Sequence, residues 1–296
     1  MVDFFIAYRP LVDLFLLHTG FALSQYIVLR AGVFSVATAG LASIGAFATA
    51  FLSVRQGVHP ALALFAGTAL GCAAGFLLSW PLARLRGVYQ AIATVAFVQI
   101  VVSLALFAEP VTGGALGLNA IPKLVGTWTL ALAAGAALYL IMAMDATRIG
   151  RAFEAVRQDE AVAVSLGVSL NFHRALAFCL SGALAGFFGG LEAFHSYALE
   201  PTQFGFPFLV AILSYVVLGG RRSVWGPVAG AAILVALPEL ARPLAENRML
   251  VYGLLLMAVM AFMPRGIVDT LAEALRRRRM ALNAPAGASD VPGAPT

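Results

Sequence analysis

The chain has 296 residues, 61% of them hydrophobic and 11% charged, with a formal net charge of +5 and a mean hydropathy of +0.92. Soluble domains carry about 25% charged residues, so this composition excludes a water-soluble globular protein, and no polar stretch is long enough to build a second core. The positive charge sits mostly in short loops between apolar runs, which gives no case for nucleic-acid binding.

Apolar runs of the length an α-helix needs to cross a bilayer recur from end to end. The expected fold class is all-α, a polytopic helical membrane protein with about nine transmembrane helices (eight to ten). The spans fall near 10–29, 32–54, 60–80, 88–107, 124–144, 174–194, 203–219, 225–241 and 247–264. The first follows Asp3 and contains Asp13 without a basic leader, so it reads as a span and not as a cleaved signal peptide. The second holds Gly32, Gly40 and Gly45, which predicts a break or kink. The third carries Gly67, Gly71 and Gly75 and the sixth Gly182, Gly186 and Gly190; each trio lines one helix face, where small residues let backbones approach closely. Cys72 and Cys179 fall inside spans and are expected as small buried thiols, with neither a disulfide nor a metal site. The seventh and eighth spans are short. One membrane domain over residues 1–270 is expected, followed by a basic, mostly disordered tail over 271–296.

Fourteen of the 19 Lys and Arg residues fall on one side when the spans alternate. By the positive-inside rule that side is cytoplasmic, with the N-terminus outside and the C-terminus inside. Between the fifth and sixth spans lies a connector, residues 145–173, of unusual charge density. Asp145, Arg148, Arg151, Glu154, Arg157, Asp159 and Glu160 fall within it and Arg174 follows at once. Its central stretch, GRAFEAVRQDEAVAVSLG, reads as one short amphipathic helix over Arg151–Leu166 that Gly167 stops. Arg151–Glu154 and Arg157–Glu160 are expected as ion pairs at i,i+3, and Phe153 and Val156 give an apolar side. A lipid-lying helix would favour Lys and Arg over acids, whereas this one is balanced. On the opposite side, Glu109–Lys123 carries Thr112, Gly113, Gly114 and Gly117 and reads as a turn or re-entrant loop.

The connector resembles the cytoplasmic coupling loop of the branched-chain amino acid ABC importer permeases. The likeness runs on through Ser181, Gly186, Gly189-Gly190, Val217-Leu218-Gly219-Gly220, Gly226-Pro227, Leu237-Pro238-Glu239-Leu240 and Tyr252-Gly253. It closes on Phe262-Met263-Pro264-Arg265-Gly266, which favours the M-type over the H-type subunit. Arg30 departs from the family pattern, standing where a glycine is common, and Gln99 stands where an acidic residue often does. The resemblance implies a bacterial inner-membrane permease with four kinds of neighbour: a second, H-type permease subunit, two ABC ATPase subunits, a periplasmic substrate-binding protein and the lipid bilayer. It implies a transport subunit, not an enzyme, with no cofactor of its own because ATP is used by the partner ATPases. No phosphate-cradling G-x-x-x-x-G-K-[ST] loop occurs in the sequence.

On this reading Gly150, Arg151, Phe153, Glu154, Ala155, Val156, Arg157, Asp159, Glu160 and Gly167 form the ATPase-coupling element, with Phe153 and Val156 anchored in a groove of the ATPase. Ser35, Thr38, Thr94, Gln99, Thr112, Gly113, Gly114 and Ser181 are candidates for the translocation path. Glu192 and His195, three apart at the outer end of the sixth span, are candidates for docking the binding protein. Related ABC importers for urea, amides, aromatic acids or sugars share this scaffold. An ion-coupled secondary transporter is the alternative from another class, and would need intramembrane acids in a relay.

Overall fold

A computed structural model describes residues 2–240, 253, 257 and 266–270. Among the described residues eleven α-helices run in the order α1 Val2–Arg30, α2 Thr38–Val54, α3 Pro60–Leu82, α4 Val88–Phe107, α5 Glu109–Thr112, α6 Thr127–Ala146, α7 Arg148–Gln158, α8 Glu160–Ser165, α9 Leu170–His195, α10 Phe206–Gly219 and α11 Trp225–Leu240. Eight of the nine expected spans are met by α1, α2, α3, α4, α6, α9, α10 and α11 among the described residues. Among the described residues six helical segments are long and apolar enough to cross a membrane, and α2 and α11 are shorter. The expected ninth span at 247–264, the tail and its arginines lie outside the described residues.

The centre of the bundle is α1. It packs on α2, α6, α7, α9, α10 and α11, and 67% of its span is buried, against 22% for α3, α4 and α6. Phe21 and Tyr26 are fully buried there. His18 is packed too: the Tyr215 hydroxyl lies 2.8 Å from its Nδ1, and the rings of Phe21 and Phe208 stand edge-on to it. At the periphery Phe65, Trp80, Ile92, Phe107 and Tyr139 point outward, as side chains facing lipid tails do.

Apolar burial drives little helix association in lipid, because the tails are as apolar as the side chains. Close backbone contact takes its place here. The two glycine rails face each other across α3 and α9: a Cβ on Gly71 would fall 2.4 Å from the Gly182 carbonyl oxygen, and one on Gly182 2.2 Å from the Gly71 oxygen. Gly45 of α2 presses on Gly186 in the same way, at 2.3 Å to its Cα. Helices α2, α3 and α9 thus form one tightly packed slab. The thiols of Cys72 and Cys179 meet across it, 2.7 Å apart and half-buried.

The expected second span is corrected at its start. Residues 31–37 are not helical, and α2 begins only at Thr38. Backbone polar groups inside a membrane need partners wherever the helix is broken, and nearby side chains supply them. Gln25 of α1 donates through Nε2 to the Ser35 carbonyl and accepts at Oε1 from the Thr38 hydroxyl at 2.6 Å. The Thr94 hydroxyl of α4 accepts from Val36 N at 3.1 Å, and the Ser35 hydroxyl from Ala37 N at 3.2 Å. Gly32, at φ +78°, turns the chain out of α1.

At the other end of the bundle α5, a 3-10 turn at Gly114–Leu116 and the strand-like run after it form a cap. Leu118 pairs antiparallel with Leu199, with N–H···O distances of 3.0 and 2.9 Å. Ile121 N and Leu124 N reach the carbonyls of Tyr197 and Phe194.

Candidate functional site

The charged connector is two helices, not one. Thr147 opens α7, its hydroxyl accepting from Ile149 N at 3.2 Å. The chain breaks at Asp159, which is extended at φ −156°, and the Asp159 carboxylate caps α8 by accepting from Ala161 N and Val162 N at 2.8 and 3.2 Å. A short acid before the run Glu-Ala-Val-Ala-Val-Ser makes a strong N-cap, and that preference breaks the single helix expected over Arg151–Leu166. Gly167, at φ +83°, follows the end of α8.

The break redirects the ion pairs. Arg157 turns back to Glu154, with Nη2 at 2.6 Å from Oε1, and away from Glu160. Arg151 donates through Nη1 to the Ala146 carbonyl at 3.3 Å and makes no ion pair with Glu154 among the described residues. Glu160 instead receives the buried guanidinium of Arg174 and, at 3.9 Å, that of Arg86. These contacts tie α8 to the start of α9 and to the α3–α4 turn.

The apolar side of α7 is also corrected. Phe153 is 0% exposed and Val156 4%, both against their own chain. They seat α7 on the bundle and are not free to enter a partner's groove. Gly150 fits this seat: a Cβ there would fall 2.5 Å from the Cα of Asp145. Ala155 is half-buried beside them, and its carbonyl accepts from Asp159 N. The outward apolar surface belongs to α8, where Val162 is 55% exposed and Leu166 beyond it 73%.

Arg30, at the last turn of α1, adds ion pairs to the apolar seat of α7. Its Nη1 lies 2.5 Å from Glu154 Oε2, and its Nε 3.7 Å from Asp145 Oδ1 at the end of α6. The Tyr26 hydroxyl donates to the other Asp145 oxygen at 3.3 Å. Burial alone would push the Glu154 carboxyl up; hydrogen bonds from Arg157 and Gln158 and the charges of Arg30 and Arg157 outweigh it and hold the group below the ordinary glutamate range. The connector is therefore clamped as an anion between two guanidiniums. Segment 31–37 lies beside it, and a Cβ on Gly32 would come within 3.0 Å of the Arg157 Cα. Helix α7 thus touches both the end of α1 and the unwound stretch that leads into α2.

The candidate path residues do not form one lining. Ser35, Thr38 and Thr94 come together, and their hydroxyls serve the backbone of 31–37 or its Gln25 brace. Ser181 pairs with Ser24 across α1 and α9, with the hydroxyls 3.0 Å apart. Gln99 is exposed on α4, apart from the buried Thr94 and Val98. Thr112, Gly113 and Gly114 sit in the opposite cap, where the Thr112 hydroxyl donates to the Ala105 and Ala108 carbonyls at 2.5 and 2.9 Å. Glu192 and His195 are half-buried at the same end, and one Glu192 carboxylate oxygen has no partner among the described residues.

Comparison with known proteins agrees with this architecture. Residues 14–260 match the family model described as the permease component of the branched-chain amino acid transport system. The chain is 31% identical to the high-affinity branched-chain amino acid transport system permease protein LivM of Escherichia coli, over 84% of this chain and 67% of that one. It is 32% identical over the same shares to LivM of Salmonella typhimurium. A shorter match, 31% over 33% of this chain and 30% of the other, is to a probable branched-chain amino acid transport permease protein LivH of Methanocaldococcus jannaschii. No solved structure gives a significant match. Since the matched region runs from α1 past α11 and holds the clamped connector within it, the chain belongs to the branched-chain amino acid transport system permease family.

Proposed function

We propose that this chain is a transmembrane permease subunit of an ATP-binding cassette importer that moves branched-chain amino acids inward across the bacterial inner membrane. Its partners on this reading are a second, H-type permease, two ATPase subunits and a periplasmic binding protein; ATP is bound and hydrolysed by the ATPases and not by this chain. The connector faces the cytoplasm, the cap of Thr112–Gly117 and Leu118–Leu199 faces out, and Glu192 and His195 lie towards the docked binding protein.

The observation that carries the reading is the clamped connector. The Glu154–Arg30–Asp145 contacts fix α7 to α6 and to the central helix α1, while α8 leaves Val162, Val164 and Leu166 exposed. A partner gripping α8 therefore pulls on α1 and on 31–37 through short ionic contacts. Gly150, Arg151, Phe153, Glu154, Ala155, Val156, Arg157, Asp159, Glu160 and Gly167 keep their place in the coupling element. Phe153 and Val156 act from inside it, and the α8 surface makes the contact with the ATPase.

The test is uptake into proteoliposomes holding the complete importer, loaded with the binding protein. Leucine, isoleucine and valine should accumulate only with ATP and should compete with one another, and an uncoupler should leave uptake unchanged. Uptake that an ion gradient drives without ATP would overturn the reading.

A further inference from the structure

A cleft of about 380 Å³ opens on the connector side, between the end of α1, the end of α7 and the α10–α11 turn. Its volume falls in the range of small-molecule sites, roughly 300–1,000 Å³. One wall is apolar, from Leu29, Val33 and Phe34; the other carries Arg157, Arg221, Arg222 and Asp269. We propose that this cleft binds the zwitterion of an apolar amino acid on its way out to the cytoplasm, with carboxylate on Arg157 and Arg221, ammonium on Asp269 and side chain against Phe34. The proposal rests on the importer reading and adds a substrate site to it.

Three observations support the assignment. Arg157 uses Nη2 on Glu154 and still lines the cleft, with its side chain 22% exposed. Asp269 is buried and held in place, its Oδ2 accepting from Arg222 N at 3.0 Å. With Asp269 set among three guanidiniums, the wall offers partners of both signs beside an apolar surface, as the zwitterion of an apolar amino acid requires. Gly32 brings segment 31–37 against Arg157, so a ligand here touches both the unwound stretch and the coupling helix. Such a position suits release, because the same motion that shifts α7 reshapes the cleft.

The experiment uses the complete importer in nanodiscs, without binding protein or nucleotide, and measures tritiated leucine by scintillation proximity. Unlabelled leucine, leucinamide (no carboxylate) and 4-methylpentanoate (no ammonium) compete. Leucine should compete about tenfold better than either analogue, the scale of one charged hydrogen bond. Arg221→Gln should erase the preference over leucinamide, Asp269→Asn the preference over 4-methylpentanoate, and Phe34→Ala the preference for leucine over glycine. Absence of leucine binding, or retention of all three preferences in the variants, overturns the proposal. Loss of bound acidic lipid from Arg221→Gln in native mass spectrometry, with leucine binding unchanged, would assign the cleft to lipid and also overturn it. ATP-driven leucine uptake by the same wild-type preparation separates the two readings. If uptake is present without cleft binding, only this proposal fails; if uptake of branched-chain amino acids is absent, the importer reading fails as well.

Discussion

Glu154 accepts from Arg30, Arg157 and Gln158 at once, and Arg30 belongs to a different element from the other two. Removing the charge with Glu154→Gln leaves Arg30 facing a neutral amide, at a cost on the order of 1–3 kcal/mol for a charged hydrogen bond. Uptake should fall at least tenfold while the ATPases stay bound and hydrolyse ATP. Arg30→Gln should do the same, and Arg30→Glu with Glu154→Arg should recover part of the loss. Uptake and hydrolysis measured side by side check this. The pH dependence follows from the lowered Glu154 pKa. Its stabilising charge is present above the ordinary glutamate value of 4.5 and is lost as pH falls through the lower value of the folded protein. Protection of the α7 amides from hydrogen exchange, taken relative to the intrinsic rate at each pH, should therefore hold from neutral pH and fall only below 4.5, a step that Glu154→Gln lacks. The acids of the connector were legible in the sequence as a charged island. The clamp was not, because Arg30 and Glu154 lie 124 positions apart and only the fold brings them together. The roles of Phe153 and Val156 were read with the wrong direction, since an amphipathic stripe shows that one side is apolar and not what covers it.

Among the elements, the glycine period named the packing faces of α3 and α9 but not that they face each other. Gly182→Val would drive methyl groups into the Gly71 carbonyl, and overpacking of this kind costs roughly 1–3 kcal/mol. Its thermal midpoint in detergent should drop by several degrees, whereas Gly135→Val on α6, with nothing within 4 Å of its Cβ, should melt like the parent. Asp159→Ala removes the α8 cap, worth about 1 kcal/mol. It should loosen α8 without unfolding the spans, seen as faster exchange confined to residues 160–166. The break between α7 and α8 was missed in the sequence because the run scores as helix throughout, and only the capping preference of Asp159 marks the interruption. The three glycines of the second expected span did signal trouble. What they could not show was that Gln25 and Thr94, on two other helices, carry the backbone of 31–37. Gln25→Leu strips the donor from Ser35 and the acceptor from Thr38, so uptake should fall even where the protein still assembles.

At the scale of the whole molecule, the all-α membrane class and most span positions were legible because roughly 20-residue apolar runs have few other uses. The arrangement was less so: that α1 is central follows from its burial, 67% against 22–56% for the other long spans among the described residues, which hydropathy alone does not rank. In the assembled importer α8 must meet an ATPase while the Leu118–Leu199 cap meets the outside. Single cysteines at Val162 and at Tyr197, which is 60% exposed beside the cap, test it when coupled to a polar cross-linker in native membranes. Val162→Cys should capture an ATPase subunit from the cytoplasmic side, and Tyr197→Cys should capture the binding protein from the other side. Capture of an ATPase by Tyr197→Cys, or failure of Val162→Cys to reach one in a complex that still imports leucine, would contradict it.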